Sequence, residues 1–294
     1  VSRHPWLGYA EAVVAASLWG SSGIFSVHLF RMGLPPQSVA ILRPALGVAF
    51  LLCFFLARNP GVLKVSRRDL AWLVVVGGLA VGVFQFAYQA STDAVGVPTT
   101  VALIYLAPVI VVFSSGPLLG EWPSLARVFW ACLTVAGVWL TVIGAGDVTS
   151  AFGTSGLTWG ILAGASYAGY TLFGRYATPR WGPAAPAVYS LAAACVLLAV
   201  AIPATGQEII LPATGRAWGV LALFAFLTIA VAQFLFFDAL GRIQASRAST
   251  VAAVEPVVAA ILATLLVGQG LSPLGWLGIA VVVAGVVGVG LRGS

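Results

Sequence analysis

The sequence predicts an all-α integral membrane protein with ten transmembrane helices, arranged as two inverted five-helix repeats around a central cavity. Three observations predict this. Apolar residues make up 61% of the 294 and charged residues only 7%, against roughly 25% charged in an ordinary soluble domain. Ten apolar runs recur along the chain, and a run of about 20 residues crosses roughly 30 Å of hydrocarbon. Landmarks in one half of the chain also return in the other at a fixed interval.

The runs centre near residues 19, 47, 81, 105, 133, 166, 193, 227, 257 and 282, which leaves short loops and no soluble domain. The solvent is lipid. With the N-terminus inside, Arg3, Arg58, Lys64, Arg67, Arg68, Arg127, Arg175, Arg180, Arg242, Arg247 and Arg292 fall at cytoplasmic ends. Only Arg31 and Arg216 fall outside, while Arg43 lies within a span. That bias is the positive-inside rule, and it puts both termini in the cytoplasm. The net charge of +6 is therefore a topology signal, and no basic stripe stands clear of the membrane to bind nucleic acid. Cys53, Cys132 and Cys195 sit in apolar runs at unrelated spacings, so neither a disulfide framework nor a metal site is expected.

The repeat is visible in "LIYLAPVIVVFSSGPLLGEW" (103–122) and "VAAVEPVVAAILATLLVGQG" (251–270). Pro108 pairs with Pro256, Gly120 with Gly268, Gly137 with Gly285, Gln85 with Gln233 and Trp19 with Tyr167, all 148 residues apart. The two units run over 8–146 and 154–291. Because five spans per unit is an odd number, the second unit enters the membrane from the other side. Inverted repeats of this kind place their substrate site near the midplane, where the halves meet.

Pro108 and Pro256 lack an amide hydrogen and leave the carbonyls of Ile104 and Ala252 without a helical partner. Such a gap in lipid needs protein or cavity water, so both prolines mark candidate hinges, or else tolerated kinks. The pairs Gly78/Gly82, Gly116/Gly120 and Gly160/Gly164 have the small-xxx-small spacing of close helix packing.

Candidate binding residues fall on six spans. In the first, Trp19 lies mid-span beside the small residues Ser21 and Ser22. In the third, Gln85, Tyr88, Gln89 and Thr92 form one polar stripe, suited to lining a cavity or to bonding between helices. Tyr105 in the fourth, and Trp159, Tyr167 and Tyr170 in the sixth, add rings to the interior. Gln233 repeats Gln85 in the eighth, beside Phe236 and Phe237. Trp6, Trp72, Trp122, Trp181 and Trp276 lie near span ends and read as interfacial anchors.

Two charges lie inside spans. Glu255, in the ninth, can meet a substrate ammonium or titrate during transport, or be a structural acid held by Ser249 or Thr250. Arg43, in the second, can attract a substrate carboxylate, or be braced by carbonyls and snorkel outward. Helical rise from the span ends puts them about 12 Å apart in depth, too far for a direct ion pair. "GSSG" at 20–23 is similar to the nucleophile motif of rhomboid-type proteases, but a serine protease needs a base within reach. His28 lies six residues along the same helix, about 9 Å of rise and 240° of rotation away. No enzyme is expected.

"SLWGSSGIF", Arg43, "LAPVIVVFSSGPLLGEW" and "EPVVAAILATLLVGQG" together resemble an EamA-type transporter of the drug/metabolite transporter superfamily, over about residues 8 to 290. Gln269 stands where the first copy has Glu121, which reads as a helix-end residue. Within the superfamily the chain is most similar to YddG-type exporters of aromatic amino acids. The resemblance implies a bacterial inner-membrane transporter that exports small neutral, aromatic amino acids or related metabolites by alternating access. It implies no cofactor and a functional monomer. The alternative is a proton-coupled exporter of cationic drugs or other metabolites using Glu255 or Glu11, the latter similar in position to the first-helix acid of small multidrug-resistance proteins.

Overall fold

The computed structural model describes residues 5–144, 154–267 and 272–291, and every regular element among them is a helix. The first span enters as α1 (Pro5–Gly20), breaks at Ser21 and continues as α2 (Ser22–Arg31). The second is α3 (Pro36–Arg58). The third begins with α4 (Arg67–Trp72), widens into a π-helical turn (Leu73–Gly77) and continues as α5 (Gly78–Ile104).

The fourth span also begins within α5. The hydroxyls of Ser91 and Thr100 lie 2.9 Å apart, whereas nine residues of straight helix would part them by about 13.5 Å. The chain therefore doubles back between them, and the third and fourth spans run antiparallel. After a break at Tyr105 and Leu106, α6 (Ala107–Leu119) completes the fourth span and α7 (Leu125–Gly144) forms the fifth.

The second unit opens with α8 (Thr154–Trp181) and α9 (Ala184–Ala204). Its third member is α10 (Gly215–Ala225), a π-helical turn (Phe226–Val231) and α11 (Ala232–Arg242). Then come α12 (Ala245–Ala252) and α13 (Val254–Val267), split at Ala253, and α14 (Pro273–Leu291). The two units share their break: Tyr105 and Ala253 are one repeat interval apart. The chain is thus an all-α membrane protein of two inverted five-helix repeats.

Among the described residues, eight stretches are long and apolar enough to cross a membrane, with Pro273–Val289 a shorter apolar helix. The remaining span, α8, has 28 residues but lower hydrophobicity. Its Tyr167, Tyr170 and Thr171 are buried in protein. A helix surrounded by other helices need not look like one that faces lipid.

Glycines set the closest approaches. Gly78 and Gly82 admit Ala193 and Leu197 of α9, and Gly160 and Gly164 admit Leu103. The Gly116/Gly120 spacing has a different cause. Gly116 receives the Trp122 ring, while Gly120 (φ +71°) ends α6 in the left-handed conformation that glycine adopts without strain. The repeated pair Gly137 and Gly285 lies between α7 and α14, where a Cβ on Gly137 would come 2.7 Å from the Val282 amide nitrogen. The fifth spans of the two repeats therefore bring backbone close to backbone along this seam.

Candidate functional site

Three broken helices meet at the centre of the bundle. The Tyr105 hydroxyl, at the break between α5 and α6, donates to Glu255 Oε2 at 2.7 Å and lies 3.4 Å from the Ala252 carbonyl oxygen. Gly20, the last residue of α1, meets the Glu255 carbonyl so closely that a Cβ would come within 2.7 Å of it. The breaks in the first, fourth and ninth spans are thus adjacent. Unwound backbone of this kind is stable at membrane depth only where protein or cavity water satisfies it.

Local chemistry explains how an acid survives here. Glu255 occupies the first turn of α13, where unpaired amides and the helix dipole favour negative charge. Tyr105 adds a short hydroxyl–carboxylate bond, the stronger class of hydrogen bond. The hydroxyls expected to hold Glu255 do not. Thr250 Oγ1 donates to the Ser246 carbonyl, and Ser249 Oγ has no protein partner.

Arg43 lies within electrostatic range of both Glu255 and Tyr88, and its guanidinium carbon sits 4.9 Å from the centre of the Phe224 ring. Its Nε has no hydrogen-bond partner, so backbone carbonyls do not brace that nitrogen. The ion pairs among the described residues join Arg175 to Glu121 and Arg242 to Glu11 and Asp238, and Arg43–Glu255 is not one of them. Both Arg43 and Glu255 are enclosed by protein yet only half-buried.

A run of aromatic rings starts at Trp19, next to Gly20 at the same break. Trp19 donates its indole N–H to the Thr228 carbonyl at 2.7 Å, within the π-helical turn, which fixes the ring. It meets Phe236 edge-on (5.1 Å between centroids) and Tyr167 (6.5 Å). Tyr167 continues to Phe84 (5.4 Å) and Tyr170 (6.0 Å), and Phe84 to Tyr88 (6.0 Å). Gln85 and Gln233, related by the repeat, are both buried, at 6% and 5% exposure. The hydroxyls of Tyr167 and Tyr170 and the Gln233 amide nitrogen have no protein partner. A buried polar group left so is costly, and water or a ligand relieves it.

Not every expected residue joins this group. Trp159 packs edge-on against Phe86, 5.6 Å away. Ser21 closes the α1 break by donating to the Leu18 carbonyl (2.6 Å), and Ser22, half-buried, starts α2. The side chains of Gln89 and Thr92, and all of Gln269, lie outside the described residues. Pro108 and Pro256 are buried in the first turns of α6 and α13, so each helix restarts around its proline instead of bending at it.

The partners of Glu121 were invisible in the sequence. The helix ends bearing Arg175, Arg180, Arg242 and Arg247 form a basic end of the bundle, and Glu121 is its hub rather than a mere helix terminus. Glu121 Oε1 pairs with Arg175 Nε at 2.6 Å and Oε2 accepts from the Ala245 amide at 3.1 Å. Arg175 also donates to the Leu240 carbonyl at 2.8 Å. One carboxylate thereby ties α6 to α8, α11 and α12. Nearby, Arg242 lies between Asp238 (2.8 Å) and Glu11 (3.1 Å), joining α1 to α11. Glu11, the alternative proton-linked acid, is the ion-pair partner of Arg242.

The chain matches the model of the EamA-like transporter family twice, over residues 6–143 and 154–291. It is 27% identical over 287 residues to the threonine/homoserine exporter RhtA of Escherichia coli, covering 96% of this chain and 91% of that one. It is likewise 27% identical to the uncharacterized transporter YwfM of Bacillus subtilis, covering 93% and 90%. A solved crystal structure superposes with a TM-score of 0.81 at 19% identity, covering 97% of both chains.

Proposed function

The chain belongs to the EamA-like transporter family of the drug/metabolite transporter superfamily, and we propose that it exports neutral amino acids from the bacterial cytoplasm by alternating access. As a member it is a multi-pass membrane transporter and not an enzyme. One observation carries the substrate reading: a single acid at the meeting point of three broken helices, with a guanidinium in electrostatic range and an aromatic wall beside them. Glu255 takes the ammonium, Arg43 the carboxylate, and Trp19, Tyr88 and Tyr167 the side chain.

Aromatic side chains suit the wall best, because rings meet rings edge-on or offset with favourable electrostatics. A second reading, small hydroxyl amino acids, has support from the unpartnered hydroxyls of Tyr167 and Tyr170 and from the substrates that RhtA's name carries. In either case the basic end faces the cytoplasm, following the positive-inside rule. The protein works as a monomer, with Pro108 and Pro256 near the points where the halves flex.

Counterflow in liposomes tests this. Vesicles preloaded with tryptophan or phenylalanine are expected to accelerate uptake of labelled tryptophan without a proton gradient. Stimulation by threonine but not tryptophan would replace the aromatic reading with the hydroxyl one. Movement of a lipophilic cation only under a proton gradient would overturn both.

A further inference from the structure

The Tyr105 hydroxyl has one proton and two acceptors within reach. Glu255 Oε2 is at 2.7 Å and the Ala252 carbonyl oxygen at 3.4 Å. That carbonyl has no helical donor, because the residue four places on is Pro256, which lacks an N–H. Tyr105 itself is 2% exposed and held at the break of its own repeat, while both acceptors belong to the break of the other. The phenol is therefore a direct polar link between the two broken helices.

We propose that Tyr105 is a positioning residue that aims the Glu255 carboxylate at the substrate ammonium and passes its own hydrogen bond to the Ala252 carbonyl when that ammonium binds. The inference rests on the amino-acid reading above. In the empty site the hydroxyl spends its proton on the carboxylate, the stronger acceptor. An ammonium supplies several donors to the same carboxylate and weakens its hold on the phenol. The free hydroxyl then caps the Ala252 carbonyl, which proline leaves without a helical partner. Occupancy of the acid in one repeat is thus converted into a new restraint on the bend of the ninth span. Because the bond crosses between repeats, it acts where their relative movement is decided.

The test compares Tyr105→Phe with wild type, using ligands that differ only in the ammonium. The phenyl ring keeps the packing of the buried side chain, and a melting curve in detergent verifies it. Competition against labelled tryptophan is measured with tryptophan and with indole-3-propionate, and against labelled threonine with threonine and 3-hydroxybutyrate. The substitution is expected to weaken the amino acids about tenfold and to leave the ammonium-free acids unchanged. In the double variant with Glu255→Gln, the loss should be no larger than that of the worse single variant, as for two groups acting through one contact. Equal weakening of both ligand types, no effect, or additive losses would overturn the proposal. Failure of the wild type to bind any amino acid would instead strike the substrate reading, and the proposal with it.

Discussion

Glu255→Gln is expected to lower amino-acid uptake about 100-fold while leaving the protein at least as stable as the wild type. The loss follows from replacing a charged partner of the substrate ammonium with a neutral one, because a hydrogen bond to a charged group is worth about 1.5–3 kcal/mol. The stability follows from the same position read the other way. The carboxylate is half-buried, accepts a hydrogen bond from the Tyr105 hydroxyl and has no ion pair among the described residues. A charge held by one hydroxyl and a helix N-terminus, without a direct ion pair, is costly in such surroundings. An amide of the same shape still accepts from Tyr105 and gives up that charge. Function and stability therefore move in opposite directions, as they do where a binding group is retained against its folding cost. Uptake in liposomes and thermal unfolding in detergent measure the two halves. A variant that transports normally, or one that simply unfolds, would contradict this account.

Arg175→Ala is expected to have the largest effect on stability, about 2 kcal/mol. Removing one member of a buried ion pair costs about 3–5 kcal/mol because the other is stranded. Here the side chains of Arg175 and Glu121 keep 21% and 11% of their surface exposed, so water screens part of that loss. The effect is still large for a pair near a helix end, because Glu121 also caps α12 and Arg175 also holds the Leu240 carbonyl. Without the arginine, α6, α8, α11 and α12 lose their common tie at the basic end. Thermal unfolding gives the magnitude. Labelling of a cysteine introduced at Ser249, by a reagent confined to that side of the membrane, is expected to rise in the same variant. Unchanged stability together with unchanged labelling would mean the tie is incidental.

Much of this architecture was legible in the sequence, for a physical reason. Span number follows from hydrophobic run length, and the inverted repeat follows from anchors at one interval. Pro108 and Pro256 announced the broken spans, because a missing amide hydrogen is written in the residue type. The position of each break was harder. A proline fits the first turn of a helix as readily as it disrupts the middle of one, so the chain unwinds at Tyr105 and Ala253, upstream of the prolines.

Partnerships across the repeats could not be read. Tyr105 and Glu255 are 150 residues apart, and Glu121 and Arg175 are 54 apart, so neither spacing carries a signal. With Gln269 in its place in the second copy, Glu121 read as a helix-end residue. The structure shows Glu121 bonded to Arg175 and to the Ala245 amide, a role that the substitution at the repeat position did not reveal. Trp159 illustrates a different limit. Tryptophan at mid-span has the same composition signature whether it lines a cavity or, as here, packs on Phe86 between two helices.

The central claim is that Glu255 and Arg43 face a water-filled, substrate-binding space between two inverted repeats. Its most direct measurement is thiol labelling in a background where Cys53, Cys132 and Cys195 are replaced. Single cysteines are placed at Tyr88 and Arg43 in the site and at Val111, which is fully buried away from it. A small charged reagent is predicted to modify positions 88 and 43 and not 111, with tryptophan or threonine protecting position 88, where both charged partners of the substrate remain. Positions 88 and 43 reacting only with lipid-soluble reagents, with no protection by any amino acid, would contradict it.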